Sequence, residues 1–540
     1  MKILNATYLT LIMGLVLLMS ACKKNDNEQG DLEPMRYFKP GAVSVAAGQT
    51  QAKLTWAPSL FSSGAKLQYT IEVSKDTTFA TKDFSLTSDT AGVTITDDKL
   101  VARQKYFARV KTNAQGDKPE SKWMNSSGFS ITGEQYFNTL KENDIKETSV
   151  TLKWRTLAGL TKITLTPQGG TAADVNLTAA DLAANAKTIT GLTAGTAYIA
   201  ELFMGAKSKG YLTFATKVAT VYSTILAPGS DIAAAITAAA NGAVIGLQPG
   251  TYNAGTVNYT VLQKNITLKS TSDNPLDTKV NFKEFTIRGT GAGIRLVGIE
   301  LDGTASAALY FLNLTGAAAD AEKANFANIS VENCIVHAAS TSFLRANRGA
   351  AAKDYIIDAI TVRNSTVYDM GSLQTYNCFH LDKLQFNTLS VTNSTFYNFG
   401  KSLLSCATLI DVVSPTITFD RCTFNAFGGA AAYAIMDANT NPVKFTMTNS
   451  IIANTPKSGT VNAAAIRASA ATSSVVFNNN NTFNLQNGSG AALTLPAGTG
   501  NKTVNLGWDL NTKVFTIPST SELNSSSNTS GPIGDPQWVQ

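Results

Sequence analysis

Charge is scarce in this chain: acidic and basic side chains make up 15 % of its 540 residues, and the net charge is only +6. The Lys and Arg residues are scattered, which excludes nucleic acid as the main partner, because phosphate binding needs them clustered. Cysteine is rare too, with five residues, and there are two histidines. Cys334, Cys378, Cys406 and Cys422 all fall in the second half, which is not the pattern of a small disulfide-stapled domain. No CxxC or Cys/His cluster points to a metal, and nothing names a cofactor. The apolar run from Tyr8 to Met19 is shorter than the roughly 20 residues that cross a bilayer, and with Met1-Lys2 before it reads as a secretory signal.

What is present is repetition. A phrase runs from Ile329 to His337 and recurs at Ile360 to Tyr368, Leu389 to Tyr397, Ile417 to Asn425 and Phe445 to Ala453, every 28 to 31 residues. Each copy alternates apolar and polar residues, turns at an Asn, and resumes the alternation. One such unit cannot bury its own apolar face, whereas stacked units can, so the pattern predicts a solenoid of strand–turn–strand coils, a parallel β-helix. The Asn column (Asn333, Asn364, Asn393, Asn449, Asn479, interrupted by Arg421) is expected to be structural, since Asn tolerates left-handed backbone and stacked amides can bond to one another. Cys334 and Cys422 share one place in the phrase, three coils and roughly 14 Å apart at about 4.8 Å per strand, too far to bond. Cys378 and Cys406 could stack as neighbours; buried thiols are expected rather than a disulfide.

The first half reads as short alternating strands separated by turns. Leu54 to Trp56, Tyr69 to Val73 and Tyr106 to Val110 belong to a block from 35 to 132; Leu152 to Trp154, Ile163 to Leu165 and Tyr198 to Leu202 take the same places in a block from 133 to 217. Each block sets a Leu six residues before a Tyr, Leu100 with Tyr106 and Leu192 with Tyr198, which resembles the tyrosine corner of β-sandwiches. With the strand Trp residues, both blocks resemble fibronectin type III modules. That likeness implies spacers, a stalk for the domain from 218 to 540.

Leu18-Met19-Ser20-Ala21-Cys22 resembles a bacterial lipobox, with residues 1–21 removed and lipid carried on Cys22. Residues 22–34 are polar and read as a flexible tether, resembling the stretch that sends many Bacteroidetes lipoproteins to the outer surface. This implies an outer-membrane lipoprotein at the cell surface, with the periplasmic leaflet as the alternative. Ser230 to Ala240 is predicted to be a short capped helix, followed by a strand at Ala243 to Leu247 and the turn Gln248-Pro-Gly-Thr-Tyr252. Together they resemble the cap and first coil of pectate-lyase-like right-handed β-helices. Val475 to Phe477 is read as the last full coil, and the Ser- and Asn-rich segment beyond Gly498 up to Gly531 as loop. Gly534 to Trp538 resembles the ending of such lipoproteins, with Trp538 docked on that last coil. The fold class is therefore all-β: two fibronectin type III-like sandwiches and a right-handed parallel β-helix.

A second strand set pairs an apolar residue with a variable one: Leu344-Arg345, Leu381-Asp382, Leu404-Ser405, Met436-Asp437 and Ile466-Arg467. Alternation sends Arg345, Asp382, Ser405, Asp437 and Arg467 outward in one column, with His380 on the same face and Tyr376 and Lys383 nearby. Arg345, His380 and Lys383 could supply the base and the cation that β-elimination on a uronic-acid polymer requires. A ladder of surface ion pairs, such as Arg345 with Asp382, is the competing reading, and Arg363, Glu332 and Asp420 are read the same way. Polygalacturonase motifs are missing, as are the Arg-x-Pro-x-x-Arg motif and grouped outward acids of calcium-dependent pectate lyases. The expectation is a protein that binds or degrades an extracellular, acidic polysaccharide, a lyase among the possibilities. The alternative is a noncatalytic glycan-binding protein or adhesin. The glycan-contact candidates are Arg345, His380, Asp382, Lys383, Asp437 and Arg467.

Overall fold

The computed structural model describes residues 36–539 apart from Ser63 and Asp411; the signal segment, Cys22 and the tether up to residue 34 lie outside the described residues. The chain is all-β, two fibronectin type III-like sandwiches followed by a parallel β-helix. In the first sandwich Ser44–Ala47, Gln51–Thr55 and Gly92–Thr96 form one antiparallel sheet. Phe84–Ser88, Tyr69–Ser74, Phe107–Thr112 and Met124–Asn125 form the other. Leu54, Trp56, Ile71, Tyr106 and Val110 share its core. The Tyr106 hydroxyl accepts from the Val101 amide at 3.1 Å, the corner bond expected of that Tyr. The second sandwich has a four-stranded antiparallel sheet of Ala173–Asn176, Lys162–Pro167, Ala197–Met204 and Lys207–Ala215.

The chain divides into two compact units, the second comprising Leu140–Thr151, Thr188–Thr196 and Thr216–Gln540. In this unit three parallel sheets of 11, 9 and 8 strands run the length of the solenoid. Each phrase supplies one strand to the first sheet (Ile329–Glu332, for example) and one to the second (Ile335–Ala339), with the Asn at the bend between them. All five column Asn residues, and Arg421, have φ between +48° and +54°, a backbone that Asn adopts cheaply. Successive copies pair in register, Arg363 opposite Thr392 and Asn364 N bonded to Thr392 O at 3.1 Å. The amides of the column reach elsewhere instead of forming a ladder: Asn333 Nδ2 donates to Asp273 O (2.9 Å), Asn364 to Glu142 (2.7 Å) and Asn449 to Asp420 (2.7 Å). The ladder belongs to the next residue. Ser365 Oγ accepts from Cys334 N, Ser394 Oγ from Ser365 N, and Ser450 Oγ from Cys422 N, at 3.0–3.1 Å. A true amide stack does exist at the far end of the second sheet, where Asn484 donates to Asn454 and Asn454 to Asn425.

Inward residues form one continuous core with a file of Phe rings, Phe311, Phe343 and Phe379 among them, about 5 Å apart. The predicted cap is Ile232–Ala238, started by Asp231, whose carboxylate accepts from Ala234 N at 3.0 Å. Its Ile232 and Ile236 close the end of the core. All four described cysteines are free and buried, and burial pushes their thiols up, Cys334 to about 12. Cys378 and Cys406 do not stack: the register sets Phe379 on Leu404 and His380 on Ser405, which displaces the two thiols along the strands. Residues 501–539 are not a free loop. They run back over the outer face of the second sheet, where Phe515, Ile517, Leu523 and Ile533 cover Tyr397, Ile451 and Phe483. Trp538 accordingly lands on Thr395 (Nε1 to Oγ1, 2.7 Å), three strands before the end of that sheet rather than on the last coil. The reason is the outward apolar stripe of the second sheet, which needs a cover. Among the described residues no helix is long and apolar enough to cross a membrane.

Candidate functional site

The outward column of the third sheet is Asn313, Arg345, His380, Ser405, Asp437 and Arg467, in register from strand to strand. His380 holds the place that alternation assigned to Asp382. A slip of two residues keeps every side chain on its own face, so periodicity could not detect it. Packing decides: Phe379, not Leu381, takes the inward position between Phe343 (5.2 Å) and Phe396 (5.8 Å).

Arg345 lies against two half-buried tyrosines whose ring centres are 6.1 Å apart, its guanidinium 4.9 Å from the Tyr310 ring and 4.7 Å from the Tyr376 ring. Nη1 donates to the Tyr310 hydroxyl (3.0 Å) and Nε to Asn347 Oδ1 (2.8 Å). The anticipated pair with Asp382 does not form, and among the described residues Arg345 has no carboxylate partner. Asp382 instead secures the next coil, accepting from Ser405 Oγ (2.9 Å) and Ala407 N (2.6 Å). His380 is buried beneath Tyr376, with ring centres 4.6 Å apart. Its Nδ1 donates to Asn377 Oδ1 (3.1 Å), and Nε2 is 3.9 Å from Asp382, beyond hydrogen-bond range. Burial, aided by the charges of Lys401 and Arg345 and opposed by Asp382, pushes His380 down to about 4, so it is neutral at pH 7.

Lys383 leaves the group altogether. Its φ of +62° turns the chain, and Nζ donates to Gly349 O at 3.2 Å. Asp437 and Arg467 make a two-pronged ion pair, both bonds 2.7 Å, with Arg467 4.8 Å from the Tyr433 ring. The hydrogen bonds that Arg467 donates to Asp437, set against slight burial, raise the guanidinium above its usual value. The structure thus brings Arg345, His380, Asp437 and Arg467 onto one face, and separates Asp382 and Lys383 from it by function. Arg363 and Glu332 belong to a structural chain: Glu332 accepts from Arg295 (2.7 Å) and Arg363 (2.6 Å), which overcome burial and hold it at about 2. Asp420 likewise accepts from Thr448 and Asn449.

A second polar group sits on the second sheet, at Lys279, Glu300, Asp302 and His337. His337 Nε2 lies 3.1 Å from Glu300 and Nδ1 3.4 Å from Asp302, and its ring stacks on Tyr368 at 4.7 Å. Glu300, Asp302 and His337 are close enough to hold a cation, a possibility that spacing could not reveal, because the contributing residues come from different coils. The Lys279 ammonium already bridges both carboxylates (3.2 and 2.6 Å). Burial would raise Asp302, yet hydrogen bonds from Lys279 and Thr304 hold it at about 2. Because the Lys279 ammonium already occupies both carboxylates and the two imidazole nitrogens face different ones, the arrangement suits a Lys279-centred ion-pair cluster better than one chelated ion.

No family model matches this chain, and no curated protein does. Among solved structures, a segment of two fibronectin type III domains from chicken tenascin is similar, at 16 % identity and TM-score 0.18, over 33 % of this chain and 99 % of that one. The FN1–FN3 domains of chicken CNTN1 are similar at 15 % identity and TM-score 0.15, over 34 % of this chain and 66 % of that one.

Proposed function

We propose that this is a lipid-anchored extracellular glycan-binding protein whose solenoid holds an extended, acidic polysaccharide along the outer face of its third sheet. The observation that carries the reading is Arg345: a guanidinium with no carboxylate of its own, set against a pair of touching tyrosines. Such a planar fork matches a sugar carboxylate, and the rings beside it offer apolar surface to a neighbouring sugar. Further along the same column Arg467 lies 4.8 Å from the Tyr433 ring, but its guanidinium is already paired with Asp437. The lipobox ending at Cys22 supports the anchor, and its polar tether supports a Bacteroidetes-type surface lipoprotein of the outer membrane. The pectate-lyase-like cap and coils support a glycan as ligand.

Binding without turnover is favoured over lyase chemistry. His380 has the proton-free Nε2 that a base needs, but it is buried, and Lys383, the second cation, points away. The test is to titrate a panel of uronic-acid polymers into the chain from Lys23 to Gln540. Arg345→Ala should weaken binding about tenfold, as loss of ~1.4 kcal/mol implies, with Arg345→Lys between. Unchanged affinity in both variants would remove the site, and an unsaturated product absorbing in the ultraviolet would establish a lyase instead.

A further inference from the structure

The first sandwich carries a feature that a spacer does not need. A cleft of about 460 Å³ is lined by Arg36, Tyr37, Phe38, Lys39, Lys122 and Trp123. None of its three cations has a carboxylate partner among the described residues; the nearby Glu120 is taken by Lys111 at 2.6 Å. Beside the cleft the chain makes a loop whose tip is apolar. Leu60 is 66 % exposed and Phe61 86 %, and the Phe61 ring stands 5.7 Å from that of Phe38, itself 45 % exposed. Phe61 has φ +56°, a conformation unusual for a bulky residue, so the ring is held out on a backbone that costs stability.

We infer that this end of the sandwich docks on an anionic phospholipid surface, with Arg36, Lys39 and Lys122 on headgroup phosphates and Phe38, Leu60 and Phe61 in the interfacial layer. The charge is complementary to such a surface. Aromatic rings beside cations are the combination that partitions to this depth. A soluble acidic glycan would satisfy the cations alone and leave the loop tip in water, so it explains only half of the feature. The setting rests on the reading of Cys22 as lipidated: Arg36 lies 14 residues beyond it, and an extended tether of that length reaches at most about 50 Å, so the patch can meet the bilayer. Its effect would be to fix the orientation of the stalk, a second membrane signal added to the lipid.

The experiment uses the chain from Lys23 to Gln540, which carries no lipid, so that its outcome is independent of Cys22 and of the solenoid site. Co-sedimentation is measured with vesicles of phosphatidylethanolamine containing phosphatidylglycerol, and with phosphatidylcholine alone. Expected are binding to the anionic vesicles that falls with salt, and a drop of about tenfold or more both in Phe38→Ser with Phe61→Ser and in Lys39→Glu with Lys122→Glu. Arg345→Ala should bind vesicles as the parent does. These side chains are exposed, so unchanged melting would confirm that the variants are folded. No vesicle binding, or equal binding by parent and variants, would overturn the inference. So would uronate-polymer binding that survives Arg345→Ala but disappears in the cleft variants, since it would assign the cleft to a glycan.

Discussion

Ser394 shows how one hydroxyl serves two coils. Its Oγ donates to Thr392 O at 2.8 Å and accepts from Ser365 N at 3.1 Å, with no solvent access. Ser394→Ala leaves a buried amide without an acceptor and should cost about 1–3 kcal/mol in denaturant unfolding. Ser394→Cys should cost less, because a thiol occupies the same place at Cys334 and Cys422. Equal losses would mean that the hydroxyl matters by packing alone. Of the candidate contact residues, Arg345 was legible as an outward cation, since alternation alone assigns its face. Its contact with Tyr310 was not, because Tyr310 comes from the coil before.

The terminal segment is the element whose behaviour the sequence concealed. Asp535 anchors it, accepting from Thr395 Oγ1 (2.7 Å) and Gln537 N (3.0 Å), while its own amide donates to Thr423 Oγ1 (3.0 Å). Burial raises its carboxyl to about 6, although these bonds and the Lys141 charge pull the other way. With the docked value above the free value of 3.8, docked Asp535 binds a proton that the released segment lacks between these two pH values. Docking therefore strengthens as pH falls through about 6, and weakens as pH rises through it. Hydrogen exchange of residues 502–539 should be slower at pH 5 than at pH 8 after correction for the intrinsic rate. Asp535→Asn should abolish the difference. A pH dependence that persists in Asp535→Asn would place the titrating group elsewhere.

At the scale of the molecule, the solenoid is a stack in which each coil is stabilised by its neighbours, so its ends matter most. The cap contributes Ile232 and Ile236, both fully buried against the first coils. Ile236→Ala should cost about 2–5 kcal/mol, and hydrogen exchange should quicken first at Val244–Leu247 and Asn265–Ser270. Tyr69–Ser74, in the first sandwich and in the other compact unit, should exchange as before. Faster exchange spread evenly along the solenoid would show that it unfolds as a single block.

The sequence by itself determined the fold class, the stacking of phrases thirty residues apart and the face on which each side chain stands. Those follow from local periodicity: the two-residue pleat separates inside from outside, and Asn marks the left-handed bend. Only the tertiary structure decided which residues meet on that face. It set His380 rather than Asp382 in the column, turned Lys383 away, moved the bonding ladder from Asn to the following Ser, and drew the terminal segment back over the second sheet. The physical reason is that alternation is blind to slips of two residues and to what lies one coil above. Volume settles the first, as Phe379 does by filling the core, and exposed apolar surface settles the second by demanding a cover.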